Sequence, residues 1–253
     1  MGREYQYKFS NKGTAMFDRT GRQRKAKTMV SVLSEHLEVP LNNLSVLNVG
    51  GSAGIIDEYL SCYFNHVTGI DIDEKAIRYA KENFQKDNLV FEIGDAMQMN
   101  YDDNSFDIVI CSQVYEHVPD AKILMEEIFR VLKPKGIVYF AAGNRLMFNE
   151  PHYNLPLLSI IPRPLSHLYV KLSGKGEFYY EKHFTYWGLR KLVDHFTLTD
   201  FTPLLVSDPK KYNTDYMVKP GTVKQKISIF LSKFMIWLVP GYIWVLEKPS
   251  ENK

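Results

Sequence analysis

Glycines at 50, 51 and 54, acids at 71 and 95, and imidazoles at 117 and 152 are the residues of this chain whose types and spacing can do chemistry. The glycines belong to Val46-Leu47-Asn48-Val49-Gly50-Gly51-Ser52-Ala53-Gly54, an apolar run that meets a tight turn. Residues without a Cβ let the backbone bend sharply and approach a ligand closely. A helix after such a turn offers unpaired N–H groups and a positive dipole end to the same point. The arrangement suits a nucleotide-like cofactor. It is not the dinucleotide fingerprint G-x-G-x-x-G, because Ile55 stands where the third glycine would fall. Asp71 closes a second apolar run, His66 to Asp71, where an acid in nucleotide-binding α/β folds accepts hydrogen bonds from ribose hydroxyls.

Alternating strands and helices must position these residues. Strands are predicted to end at Val49 and Asp71, and over Leu89–Ile93, Phe106–Cys111 and Ile137–Ala141. Helices are predicted over Glu74–Lys81, with Asp73 as N-cap, and over Ile123–Leu132, stopped by Lys133-Pro134-Lys135-Gly136. Such alternation implies parallel strands joined by crossover helices. Ligands of such sheets sit beyond the carboxyl ends of the strands, where Gly50, Asp71, Asp95 and Ser112 would converge. A helix over Tyr186–His195 and strands over Leu198–Thr202 and Gly241–Glu247 would complete the sheet.

The loop at Asn48 to Gly54 resembles the cofactor loop of class I S-adenosylmethionine-dependent methyltransferases, acidic-x-G-x-G-x-G. It departs from that pattern at Asn48, usually an acid, and at Ser52, usually glycine. Gly94-Asp95-Ala96 after the third strand, Phe106-Asp107-Ile108-Val109 opening the fourth, and Arg130-Val131-Leu132-Lys133-Pro134-Lys135-Gly136 also resemble the family. The resemblance runs from about Leu44 to Ala142. It implies a Rossmann-like seven-stranded α/β sheet, mostly parallel with an antiparallel last strand and helices on both faces. It implies S-adenosylmethionine as cofactor, bound by Asn48, Gly50, Gly51, Ser52, Gly54, Asp71, Ile72, Asp95, Ala96, Ser112 and Gln113. Asp71 would take the ribose, Ile72 the adenine face, and Asp95 with the Ala96 backbone N–H the adenine edge.

Methyl transfer from a sulfonium is an in-line displacement that rests chiefly on alignment. A base is needed only where the acceptor is a weak acid such as a hydroxyl. His117 is the first candidate for it, with Tyr115 and His152 beside it and Glu116 and His183 further candidates. The expected activity is methylation, at oxygen, of a small-molecule, sugar or lipid-linked acceptor. The alternatives are a non-catalytic cofactor-binding relative, favoured by Asn48 and Ser52, and a nucleotide-dependent oxidoreductase, disfavoured by the glycine spacing. A nucleic-acid acceptor is disfavoured. The net charge is only +2, no N-P-P-Y element follows the fourth strand, and no Pro-Cys pair is present.

Four parts are expected: an N-terminal helical lid over 1–43, a cofactor-binding core over 44–143, a substrate cap over 144–183, and the rest of the sheet over 184–253. The lid is rich in Arg and Lys between 19 and 27, and the cap is aromatic and proline-broken. The run from Ile227 to Leu246 is interrupted by Lys233, Pro240 and Gly241, so it reads as an amphipathic helix, a turn and a buried strand. The helical part, within 223–239, is a candidate for peripheral membrane contact. With no apolar leader at Met1 to Tyr5, the expected location is cytoplasmic, with peripheral attachment to the inner face of a membrane as the alternative. Cys62 and Cys111 are expected as reduced core residues, and no Cys/His spacing suggests a metal.

Overall fold

The computed structural model describes residues 14–250. The first 13 residues of the expected lid, including Phe9, lie outside the described part. In chain order the elements are α1 (Arg19–His36), β1 (Ser45–Val49), α2 (Ile55–Leu60), β2 (His66–Asp71), α3 (Glu74–Asn83), β3 (Leu89–Ile93), β4 (Phe106–Ser112), α4 (Ala121–Val131) and β5 (Leu132–Gly143). Then follow β6 (Asn149–Glu150), β7 (Leu155–Pro156), α5 (Arg163–Leu172), α6 (Tyr186–Leu192), β8 (Thr197–Asp200), α7 (Thr202–Ser207), α8 (Val223–Phe234) and β9 (Gly241–Glu247).

Seven strands form one sheet in the order β3-β2-β1-β4-β5-β9-β8. The first five are mutually parallel, and β9 runs antiparallel to both β5 and β8. This is the Rossmann-like arrangement expected from the sequence. Side chains alternate across each strand. Val109 and Cys111 of β4 therefore enter one core with α4 and α6, while Ile108 and Ile110 enter the other with α1, α2 and α3. Strand order reverses between β1 and β4, and a crevice opens there beyond their carboxyl ends.

Local signals set most helix starts. Asp73 Oδ1 accepts from the backbone N–H groups of Lys75 and Ala76, so it caps α3 as expected. Asp120 caps α4 in the same way, which starts that helix two residues earlier than predicted. Strand β5 begins at Leu132 rather than Ile137, because Leu132 pairs with Phe106 across an irregularity that absorbs the Lys-Pro-Lys-Gly stretch. Cys111 is buried, but Cys62 is exposed: α2 ends at Leu60, and Cys62 turns outward beside Lys86.

Segment 144–183 holds a two-residue hairpin, β6 with β7, and the single helix α5, packed on its own cluster of Leu155, Leu158, Val170 and Tyr179. Among the described residues no helix is long and apolar enough to cross a membrane.

Candidate active site at the carboxyl ends of the strands

A cavity of about 380 Å³ lies at the switch in strand order. Its floor is the loop between β1 and α2. Gly50 has φ +71° and Gly54 φ +74°, conformations that disfavour a Cβ. A Cβ on Gly50 would lie 2.8 Å from Val114, and one on Gly54 would lie 2.7 Å from both Ala80 and the Phe91 ring. Ser52 stands where the resembled loop has glycine and also adopts a positive φ, +57°. Gly54→Ala is expected to cost roughly 2–5 kcal/mol, the sum of left-handed strain and overpacking against β3 and α3. Urea denaturation reads this directly, and an unchanged midpoint would show that the loop relaxes around the methyl group.

Asp71, at the end of β2, ties this loop down. Its Oδ2 accepts from Ser52 N–H at 2.8 Å and its Oδ1 from Asp73 N–H at 2.9 Å. Burial raises the pKa of this carboxyl, although those two hydrogen bonds and Arg22 oppose the rise. Asn48, Ile72, Ala96, Ser112 and Gln113 also face the cavity. Three expected contacts stand back from it. Gly51 packs over Asp57, Gly54 starts α2, and Asp95 Oδ1 accepts from Met97 N–H at 2.7 Å.

The structure adds three residues to this half of the site. Arg22 and Lys25 of α1 reach the cavity. Arg22 continues the stripe of Ala26, Met29 and Leu33 that buries α1 on the sheet, so the helix covers the site by extending its own apolar face. Their i, i+3 spacing was a usable signal, but the basic cluster holds five such residues and only the docked orientation selects two. The third is Asp57, wholly buried beneath the loop, with Asn48 Nδ2 donating to its Oδ1 at 2.6 Å. Asn48 lacks the charge of the resembled pattern, and Asp57 supplies a carboxyl behind it.

Burial drives the Asp57 pKa from 3.8 to about 7 despite the Asn48 hydrogen bond. A raised folded-state pKa gives stability that is complete below the unfolded value and is lost as pH climbs to the folded value. Between about pH 4 and pH 7 the wild-type chain therefore loses up to about 4 kcal/mol through this one group. Asp57→Asn keeps an acceptor for Asn48 and removes the titration. Its stability relative to wild type is expected to rise across that window and level off above it, as read by denaturant titrations at pH 5 and pH 8. Equal differences at both pH values would rule out a buried titrating Asp57.

The opposite wall carries imidazoles. His117, in the loop between β4 and α4, and His152, from the cap segment, both line the cavity with ring centroids 4.7 Å apart. His117 Nδ1 lies 3.7 Å from Glu181 Oε1. His152 Nδ1 lies 2.6 Å from Glu150 Oε1, and Glu150 Oε2 accepts from Tyr153 N–H. Burial lowers the His152 pKa, but the hydrogen bond it donates to Glu150 and the charges of Glu181, Glu150 and Glu116 outweigh it, so the net shift is upward. Glu150 is pushed the other way, to about 2, because hydrogen bonds from His152 and His183 overcome its burial. Tyr115 lies behind this wall, buried, with its hydroxyl donating to Gly143 O at 2.5 Å. Burial pushes its phenol well above the usual range, and its contacts are those of a support for the loop. Glu150 and Glu181 were missed in the sequence, since nothing local marks an acid in an aromatic loop as buried.

Residues 47–140 match a family model described as a methyltransferase domain. Over that part the chain is similar to class I S-adenosylmethionine-dependent methyltransferases, a class whose cofactor is S-adenosylmethionine. It is 28% identical to the ubiquinone biosynthesis O-methyltransferase of Coxiella burnetii over 142 residues, 54% of this chain and 61% of that protein. It is 39% identical to a sterol 24-C-methyltransferase of Gibberella zeae over 114 residues, 43% of this chain and 29% of that one. The chain thus spans less than two thirds of the length of these curated relatives. Among solved structures, a methyltransferase from Methanosarcina mazei superposes with a TM-score of 0.56 at 20% identity, covering 87% of this chain and 98% of that one. A putative methyltransferase in complex with the Haloferax volcanii Trm112 activator gives 0.57 at 15% identity, over 97% and 99%. At that identity the likeness is one of fold.

The residues present fit the cofactor of this class. The cavity volume falls in the range of small-molecule sites. Ser52 Oγ is buried at its floor without a hydrogen-bond partner among the described residues. A guanidinium, an acid and a cradle that excludes a Cβ at Gly50 line the same half.

Proposed function

We propose that the chain transfers a methyl group from S-adenosylmethionine to an oxygen of a small-molecule or lipid-linked acceptor. The observation that carries this reading is the division of one cavity into two halves. A glycine loop, an acid and a guanidinium form one half, and carboxylate-backed imidazoles form the other.

In this reading Asp71 accepts the ribose hydroxyls, because each of its oxygens keeps a lone pair beyond the backbone N–H it already binds. Arg22 meets the cofactor carboxylate, and Asn48, Gly50, Ser52, Ser112 and Gln113 line its path. Ile72 and Ala96 enclose the adenine, and Gly51, Gly54 and Asp95 shape the loops that present them. Bound S-adenosylmethionine supplies a methyl group already activated by the positive sulfur. His117 takes the acceptor's proton, with the Glu181 carboxylate behind Nδ1 stabilising the imidazolium that results. His152 lies against it as a second wall of the acceptor subsite.

Calorimetric titration with S-adenosylmethionine and S-adenosylhomocysteine, followed by a methyl-transfer screen over phenols, sugars and quinol precursors, tests the reading. Micromolar binding and a methylated oxygen are expected. Binding without transfer to any acceptor would favour a non-catalytic relative, and binding of NADP instead would favour an oxidoreductase.

A peripheral membrane site is proposed alongside it. Val223, Ile227, Phe230 and Phe234 of α8 are all more than half exposed, and Lys224, Lys226 and Lys233 share that helix. Apolar side chains flanked by lysines suit an anionic bilayer surface, which would bring a lipid-linked acceptor to the enzyme. Phe230→Ser with Phe234→Ser is expected to lower cosedimentation with phosphatidylglycerol vesicles several-fold, and unchanged cosedimentation would dismiss this surface.

A further inference from the structure

Glu150, His152 and His183 converge at the seam between segment 144–183 and the sheet. Glu150 Oε1 lies 2.6 Å from His152 Nδ1 and 3.4 Å from His183 Nε2, and one ligand atom from each residue lies within 4.8 Å of the others. Ligands held 2.0–2.2 Å from a common ion stand about 2.8–3.6 Å apart in tetrahedral or octahedral geometry. The Glu150–His183 separation meets that requirement, the Glu150–His152 separation is slightly short of it, and the two imidazoles would close to it from within 4.8 Å.

His183 is held from both sides. The Tyr115 hydroxyl has one hydrogen, and it is committed to Gly143 O at 2.5 Å. Tyr115 Oη also accepts from Phe184 N–H and lies 3.5 Å from His183 Nδ1. That last contact is favourable only if Nδ1 carries the hydrogen. His183 Nε2 meanwhile faces the Glu150 carboxylate, 3.4 Å away, where either a hydrogen on that nitrogen or a bound cation can join the two. The surroundings favour a cation, since the side chains of Glu150, Glu181 and His183 are at most 3% exposed and Glu116 is fully buried beside them. Burying that much carboxylate is costly unless cations neutralise it.

We propose that Glu150, His152 and His183 bind one divalent transition-metal ion. Two imidazoles and one carboxylate suit an ion of intermediate softness such as Zn²⁺. The site is reachable, because His152 also lines the cavity and its side chain is 21% exposed. Local spacing, on which the expectation of no metal rests, does not register these ligands, because His183 is 31 residues beyond His152. An ion here would place positive charge at the acceptor end of the cavity. That role rests on the methyl transfer proposed above, whereas the binding itself does not.

The test is metal uptake by the untagged full-length chain, freed of metal with a chelator and titrated with Zn²⁺, with content checked by plasma mass spectrometry after dialysis. One equivalent per chain is expected. Glu150→Gln and His183→Ala are each expected to weaken binding about a hundredfold. His195→Ala, at a side chain 70% exposed on the surface, is expected to leave it unchanged. Cobalt(II) bound to the wild-type chain reports the same ligands by its visible ligand-field bands, which keeps the test decisive if the variants do not fold. Substoichiometric uptake, wild-type affinity in both ligand variants, or a cobalt spectrum identical to the hydrated ion would overturn the proposal, leaving the cluster as an imidazole–carboxylate hydrogen-bond network. Because no methyl donor or acceptor enters this measurement, its failure would leave the proposed methyl transfer standing.

Discussion

A His117→Ala chain is expected to bind S-adenosylmethionine with wild-type affinity and to turn over about a hundredfold more slowly, or worse. The side chain lines the same cavity but makes no hydrogen bond to the glycine loop, Asp71 or Arg22 that the structure shows, so its loss leaves those residues in place. What is lost is a group able to take a proton as the acceptor oxygen attacks, a contribution of about 10²–10⁴ in rate for a well-placed base. Its neighbours give the imidazole its orientation: Glu181 lies 3.7 Å behind Nδ1, and the His152 ring meets it edge-on at 87°. The comparison variant is His117→Gln, which retains polarity without basic character. If His117 acts as a base, both variants are slow and both lose the rise of kcat with pH that deprotonation of an imidazole produces. If it only holds the turn before Val118 and Pro119, glutamine restores most of the rate and the pH profile keeps its shape. The measurement is kcat against pH with the acceptor found in the screen, beside calorimetry for the cofactor. Undiminished turnover in the alanine variant would remove His117 from the reaction.

The second large effect is on cofactor affinity. Asp71→Ala is expected to weaken S-adenosylmethionine binding about a hundredfold, from two sources. It removes the acceptor proposed for the ribose hydroxyls, and charge-assisted hydrogen bonds of this kind are worth about 1.5–3 kcal/mol. It also releases Ser52 N–H and Asp73 N–H, which Asp71 holds at 2.8 and 2.9 Å. Ser52 is kept in a left-handed conformation, and loss of its anchor should let that strained residue relax away from the cavity. Asp71→Asn separates the two contributions, because one oxygen remains to accept a backbone N–H while the charge is gone. An intermediate loss is expected for asparagine, with the adenosine part of the cofactor sufficing to show it. Equal affinity of Asp71→Ala and wild type would mean that the ribose binds elsewhere.

Much of the fold was legible because it is written locally. Apolar runs ending in Gly50, Asp71, Gly94 and Ser112 mark four parallel strands, and Asp73 marks a helix start through its own side-chain hydrogen bonds. The resemblance of Leu44–Ala142 to one family followed from such short-range features, and the methyltransferase domain found over 47–140 agrees with it. Seven strands with an antiparallel last one were implied by the same resemblance, and β9 is antiparallel beside β5. Where the reading slipped, a long-range partner intervened. Leu132 joined β5 by pairing with Phe106, and Cys62 turned outward because α2 stopped two residues before it.

The sequence by itself therefore determined the class of fold, the glycine turn after β1 and the acids past the strand ends, all of which depend on spacing within a few residues. Only the tertiary structure decided which side chains meet. It selected Arg22 and Lys25 from five basic neighbours by docking one face of α1, and it buried Asp57 under Gly51 and Gly69, far from water. It also brought Glu150, His152 and His183 against His117 and Glu181 across more than 60 residues of chain. Burial and through-space charge set the chemistry of such groups, and neither is encoded by the residues next to them in the chain.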